Sequence, residues 1–298
     1  MAGPILVTGA QGFVGGHLLA RLGGRALPVD VDVTDAAAIV RAVRASAPAA
    51  VVHLAAASSV GASWDDPDEA WRVNAVGTVN VLEAVRAAAP AARVLVPSTG
   101  DVYGNAAELP TTEDARLEPV SPYAASKVGA EIACGQASRM GVDVVVARAF
   151  QHEGPGRDER FAIGSWSAQI ARAENTGGGV VQVGDLSGRR DITDVRDVCS
   201  AYVSLLDPAV PAGTYNVASG RTVELREVLD LLIGLASAPI RIETDPERSR
   251  PSDIPVLWGD PSRLRAATGW RPTIPLEETL ADTLEAARRA VLERTASA

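Results

Sequence analysis

The chain has 298 residues, and its 28 Lys and Arg are outnumbered by 37 Asp and Glu, for a net charge of −9 at neutral pH. With no clustered Lys/Arg stripe, that balance excludes a nucleic-acid partner, and the length suits one large α/β domain with an appended lobe. Cys134 and Cys199, the only cysteines, fall in apolar helical patterns and read as reduced packing residues, so neither a disulfide nor a metal site is expected. Met1 to Pro4 leads straight into a strand with no basic leader and no long apolar run, the pattern of a cytoplasmic protein without a membrane partner.

The first strand, Ile5-Leu6-Val7, runs into a glycine turn and then an apolar-periodic helix. Glycines at 9, 12 and 15 permit a tight turn, close approach of a pyrophosphate to backbone N–H groups, and close packing of helix on sheet. Gly9, Gly12, Phe13, Val14 and Gly15 are therefore candidate dinucleotide contacts. The second strand, Ala26 to Val29, ends at Asp30, where a carboxylate can accept from the adenosine ribose hydroxyls. Asp32 and Val33 follow, and Asp35 reads as the N-cap of a helix through Ser46. No further loop, helix and strand comes before the next apolar run, so the sheet is expected to lack one strand on this side. The usual position of an arginine for a 2′-phosphate goes with it. Asp30 and Asp32 thus favour NAD(H) over NADP(H), with Arg21 or Arg25 the cations still able to reach the ribose.

Ala50 to Leu54 is the next strand, with His53 as a core histidine; small residues follow at Ala55 and Ala56, as a sheet edge crossed by a cofactor requires. Asp66 to Ala89 reads as a long helical region with an apolar stripe of Val73, Val76, Val81, Leu82 and Val85. Asn74 within it is either a brace for a cofactor loop or a buried polar bracket. The strand Arg93 to Pro97 delivers Thr99 to the same carboxyl edge, and Tyr123 and Lys127 then stand four apart near the start of a helix, on one face. A free tyrosine, with a pKa of about 10, transfers protons poorly near neutrality, but a cation within roughly 4–6 Å favours its phenolate.

The glycine turn, Asp32-Val33-Thr34-Asp35, His53-Leu54-Ala55-Ala56, Asn74 to Thr78, Thr99 to Gly104 and Tyr123 to Lys127 together resemble the extended short-chain dehydrogenase/reductase superfamily, over almost the whole chain. The resemblance implies a Rossmann-type, doubly wound parallel sheet of the α/β class carrying a smaller, discontinuous C-terminal substrate lobe. It implies that Tyr123 moves the proton, that Lys127 holds the nicotinamide ribose and lowers the Tyr123 pKa, and that Thr99 positions the reacting oxygen. It also implies cofactor contacts at Leu54, Ala55, Ala56 and Asn74, and a homodimer through a four-helix bundle of Pro67–Ala88 and Tyr123–Arg139 with their copies.

Residues 1–150, with 193–216 returning, are expected to form the dinucleotide half, and 151–192 with 217–298 the lobe. A strand at Asp143 to Arg148 leads into Gln151-His152-Glu153-Gly154-Pro155-Gly156, which resembles the Asn-His-x-Gly-Pro-Gly turn of sugar-nucleotide pockets with Gln151 in place of Asn. Phe161 to Glu174 reads as a helix, residues 176–179 as a flexible link, Tyr215 to Gly220 as a strand returning to the lobe, and Thr222 as the cap of a helix through Leu235. Arg190 and Arg250 match the diphosphate-binding arginines, and Ser59 and Asp101 complete the candidate substrate contacts. The segments look most like the nucleotide-sugar enzymes that include GDP-4-keto-6-deoxymannose reductases and GDP-mannose 4,6-dehydratases. Dehydration needs a Glu beside the catalytic Thr, and this chain has Gly100 and the shorter Asp101. Reduction of a nucleotide-diphosphate 4-keto-6-deoxysugar is therefore expected, with epimerase, dehydratase or decarboxylase as alternatives and a non-catalytic dinucleotide-binding subunit as the reading from another class.

Overall fold

The computed structural model describes residues 3–248 and 254–296. In chain order the first half runs β1 (Ile5–Thr8), α1 (Phe13–Leu22), β2 (Ala26–Val29), α2 (Ala36–Ser46), β3 (Ala50–His53), α3 (Ala62–Asp65), α4 (Pro67–Trp71), α5 (Gly77–Ala88), β4 (Arg93–Thr99), α6 (Pro122–Arg139) and β5 (Val144–Ala149). The second runs β6 (Gln151–Glu153), α7 (Ala162–Asn175), β7 (Gly179–Val183), β8 (Arg189–Arg190), β9 (Ile192–Asp194), α8 (Val195–Leu205), β10 (Gly213–Val217), β11 (Val223–Glu224), α9 (Leu225–Gly234), β12 (Ile240–Thr244), β13 (Val256–Leu257), α10 (Ser262–Thr268) and α11 (Leu276–Ala296).

Six parallel strands form the main sheet in the order β10-β5-β4-β3-β1-β2, so a single strand lies outside β1, as the short stretch between Val29 and Ala50 requires. Successive side chains of a strand point to opposite faces, and both faces are covered here, which is why the strands are apolar runs rather than alternating ones. Ile5 and Val7 pack with Leu18, Val198, Tyr202 and Leu205 from α1 and α8, while Leu6 packs with Ile39, Val43, Leu82 and Val85 from α2 and α5. Strand order reverses at β1, so the crevice for a ligand opens at the carboxyl ends of β1 and β3.

A separate core of Ile163, Trp166, Ile170, Val181, Leu229, Leu232, Leu280 and Leu284 joins α7, β7, α9 and α11 beside that edge. Four expectations change here. Tyr215–Val217 belongs to β10, the outer strand of the main sheet, because Gly213–Val217 pairs in register with Val145–Ala149. Thr222 caps nothing; β11 intervenes, Glu224 precedes the helix, and the Thr222 hydroxyl faces Arg189 Nε at 3.3 Å. Gly179 starts β7 rather than ending a link. The helical region after Asp66 is continuous from Pro67 to Ala88 but passes through a π-helical turn at Arg72–Val76, and Val76, expected in the apolar stripe, is exposed.

Glu174 on α7 ties the lobe together by accepting from both Arg288 terminal and Nε nitrogens on α11, at 2.7 and 2.8 Å, and from Ser237 N at 2.8 Å. Those donors, Arg288 foremost, hold its carboxyl down to about 2 from an ordinary 4.5. A carboxyl depressed on folding adds stability above its unfolded pKa, and that contribution is lost as pH falls through the folded value. Glu174→Gln is therefore expected to be less stable than the parent at neutral pH, with the gap closing from pH 4.5 down to about 2 in urea titrations. A gap independent of pH would refute this.

Candidate active site

One cavity of about 1650 Å³ opens at the carboxyl edge of the sheet, between it and the lobe, and Thr99, Tyr123 and Lys127 all line it. Each is delivered by local structure. Thr99 ends β4, where its hydroxyl accepts from Asp101 N at 3.2 Å. Ser121 caps α6 by accepting from Ala124 N, Pro122 fits the first helical turn, and Ser63 Oγ accepts from Tyr123 N at 3.1 Å, so the helix start is pinned from outside. Tyr123 and Lys127 then share the inward face of α6.

Gly9, Gly12, Phe13, Val14, Gly15, Leu54, Ala55 and Ala56 line the adjoining part of the cavity. Gly9 has φ 64, and a Cβ there would meet Ala55 N at 2.5 Å, so only glycine serves. A Cβ on Gly15 would run into the Ala10 carbonyl oxygen. The ten-residue α1 has Gly12 at its N-cap and no side-chain cap, leaving its first N–H groups for an anion. These residues fit a dinucleotide pyrophosphate.

The remaining expected cofactor positions divide. Asp30 does not itself line the cavity, but it accepts at 2.9 Å from Nε2 of Gln11, which does. Asp32 instead accepts from both Thr34 N and Thr34 Oγ1, at 2.8 and 2.7 Å, and those bonds hold its carboxyl below the usual range. Arg72 donates to this turn, through Thr34 Oγ1 at 3.1 Å. Val33 is a core residue packed against Gly77. Asn74 accepts from Ala57 N and donates to Ala57 O and Ser126 Oγ, clamping the cavity-lining loop after β3 to α6, which fits both a buried bracket and a brace for a cofactor loop.

On the substrate side, Ser59, Asp101, Gln151 and Arg190 line the cavity, whereas Arg250 lies outside the described residues. Gln151 Nε2 donates to Glu153 Oε1 at 3.1 Å, and Glu153 also faces Arg157 Nε at 3.2 Å. Burial pushes the Glu153 carboxyl up against the pull of Arg157. Arg157, Arg160, Arg248 and Tyr202 line the same cavity without having been expected. Arg157 directly follows Gly154-Pro155-Gly156, the one local signal for it; its guanidinium lies 3.6 Å from the Phe161 ring centroid and 5.0 Å from that of Phe13. Tyr202 comes from α8 and carries no local signal.

Electrostatics departs from expectation at the tyrosine. Burial, and then the Asp101 charge, raise the Tyr123 pKa well above the ordinary 10; the Thr99 hydroxyl and Arg157 oppose them. Lys127 Nζ donates to Pro97 O at 3.0 Å. Burial brings the Lys127 pKa down to about 8. His53 bonds Thr8 Oγ1 through Nδ1 at 2.8 Å and is held neutral, its pKa down to about 3, by burial and by Lys127. It is a core histidine, although its Nε2 has no partner. Among the described residues no His, Cys, Asp and Glu cluster is arranged to hold a metal ion, and no helix is long and apolar enough to cross a membrane.

A parallel sheet with a glycine turn at its switch point, and Thr, Tyr and Lys gathered beside it in one cavity, define an oxidoreductase fold of the extended short-chain dehydrogenase/reductase class. The family model described as GDP-mannose 4,6 dehydratase matches residues 24–283. The chain belongs to that family. It is 38% identical to the GDP-6-deoxy-D-mannose reductase of Pseudomonas aeruginosa, over 93% of this chain and 94% of that one. Among solved structures, RMD from Pseudomonas aeruginosa complexed with NADPH superposes with a TM-score of 0.89 at 35% identity, covering 97% of this chain and 100% of that chain. The Thermus thermophilus UDP-glucose 4-epimerase complex with NAD superposes at 0.84 with 27% identity, covering 96% and 99%.

Proposed function

We propose that the protein reduces the 4-keto group of a nucleotide-diphosphate 4-keto-6-deoxysugar, GDP-4-keto-6-deoxymannose or a close analogue, using a reduced nicotinamide dinucleotide. What carries this reading is the gathering of Thr99, Tyr123 and Lys127 in one cavity at the carboxyl edge of the sheet, with no Glu beside Thr99 to serve dehydration. The near full-length similarity to a GDP-6-deoxy-D-mannose reductase supports the same choice.

In this reading the bound cofactor supplies the hydride. The first turn of α1 and the glycine turn hold its pyrophosphate, Lys127 its nicotinamide ribose, and Asp30 its adenosine ribose. Tyr123 gives its phenolic proton to the sugar oxygen beside Thr99. Arg190, with Arg157 nearby, takes the substrate diphosphate, since the guanidinium donors form a fixed fork. Asp30, bonded to the cavity-lining Gln11, favours NADH over NADPH, although a relative of known structure carries NADPH.

Mixing the protein with NADH or NADPH and GDP-4-keto-6-deoxymannose tests the reading. Steady oxidation of the reduced cofactor is expected, faster with NADH. A new sugar formed with no net change in cofactor would replace it by epimerase or dehydratase, and tight cofactor binding without turnover by a non-catalytic subunit.

We also infer a homodimer. Trp64, Trp71, Val76, Val79 and Ile132 are exposed on α3, α4, the π turn, α5 and α6, with Met140 just past the end of α6, and two copies pairing these helices as a four-helix bundle would cover them. Sedimentation velocity should return twice the 30.9 kDa chain mass, and a monomer at micromolar concentration would refute it.

A further inference from the structure

Both backbone groups of Tyr123 are held by one loop. Tyr123 is the second residue of α6, so its N–H has no partner within the helix. It donates instead to Ser63 Oγ at 3.1 Å, and that oxygen is free to accept because its own proton goes to Val60 O at 2.7 Å. The Tyr123 carbonyl accepts from Ser126 Oγ at 2.7 Å; this hydroxyl in turn accepts from Asn74 Nδ2 at 2.9 Å, and Asn74 brackets Ala57. Ala57 and Ser63 belong to the segment after β3, whose Ala55, Ala56 and Ser59 line the cavity. Ser59 closes the turn that leads to Ser63: its carbonyl accepts from Ser63 N at 3.1 Å and its hydroxyl from Ala62 N at 3.2 Å. Ser63 is 4% exposed, so water does not readily replace its hydroxyl.

We propose that Ser63 is a positioning residue: its bond to the Tyr123 N–H fixes the phenol in register with the segment after β3, so that the proton donor and the wall that meets the ligands keep one geometry. This inference rests on the role of Tyr123 in the reductase reading above. Ser121 caps the next N–H, that of Ala124, and Ala125 N begins the helical pattern on Ser121 O, so the Tyr123 N–H depends on Ser63. A buried N–H left without a partner is costly, and the first turn of α6 relieves that cost by shifting toward another acceptor. The Tyr123 side chain shifts with its own backbone. Reaction requires the proton donor within near contact of the sugar oxygen, and a misplacement of about 1 Å can lower turnover by about 10²-fold. The rest of α6 need not unfold for this, since the Ser126 and Asn74 bonds still hold the carbonyl side. Ser63 acts through the backbone of Tyr123 and on no reacting atom.

Ser63→Ala tests this. kcat for ketone reduction is expected to fall about 10- to 10²-fold, while substrate KM and dinucleotide affinity stay within about twofold. Ser63→Thr, which keeps the hydroxyl, should hold kcat within about threefold of the parent. Hydrogen exchange at the Tyr123 amide, followed by NMR on the NAD-bound chain, should speed up by about tenfold or more in Ser63→Ala and not in Ser63→Thr. The amide of Ala130, in the middle of α6, should exchange as in the parent. Four results would overturn the proposal: an unchanged kcat in Ser63→Ala, a loss carried by KM, equal losses in the two variants, or exchange at Tyr123 that is unaltered or rises equally at Ala130. If the parent protein reduces no keto-sugar, the functional reading fails by itself. The exchange measurement then decides alone whether Ser63 holds Tyr123.

Discussion

Tyr123→Phe should lower kcat for ketone reduction by about 10³-fold, within the range that general acid catalysis supplies, while dinucleotide affinity stays within about twofold. The change removes one oxygen and keeps the ring, which is almost fully buried at the start of α6 and can hold the same position. Single-turnover oxidation of bound NADH, compared with fluorescence titration of the cofactor, separates chemistry from binding. Unchanged turnover of every nucleotide-linked ketosugar would sink the assignment of Tyr123.

The largest effect on stability is expected at Arg148, which lies in β5 beneath the site. Its side chain is buried with that of Glu131, at 2.6 Å, and it also donates to Tyr103 Oη at 2.8 Å and Glu113 O at 3.0 Å, with the guanidinium 4.9 Å from the Tyr103 ring centroid. Tyr103 in turn donates to Asn216 on β10, so one cation joins α6, β5 and the sheet edge. Arg148→Met leaves Glu131 as a buried, unpaired carboxylate and should cost about 3–5 kcal/mol in urea unfolding. Replacing both partners, Arg148→Met with Glu131→Leu, should recover most of that loss, since removing a buried pair together is far less costly than breaking it. Equal losses in the single and double variants would show that the pair is not the cause. Glu131 is one turn beyond Lys127 on α6, so the single variant is also expected to disturb the lysine.

What the chain alone determined is what bonds a few residues apart decide. Asp35 could be read as a helix cap because its carboxylate needs only Ala38 N, and α2 runs from Ala36 to Ser46 as expected. Ser121 and Pro122 set the start of α6 in the same way, and the glycine turn follows from the backbone freedom of Gly9. Apolar runs located all five strands of the first half, and the short gap after Val29 foretold the missing outer strand.

Only the tertiary structure decided which way the polar side chains of the site point. Lys127 turned onto Pro97 O, Asn74 onto Ala57, and Arg157 came into the cavity against rings from two separate segments. The spacing of Tyr123 and Lys127 placed both on one helix face, yet the charge felt by the phenol comes from Asp101 and Arg157, more than twenty residues away on either side. A side chain's orientation and proton affinity depend on what packs around it across the fold, and residue spacing along the chain carries no record of that.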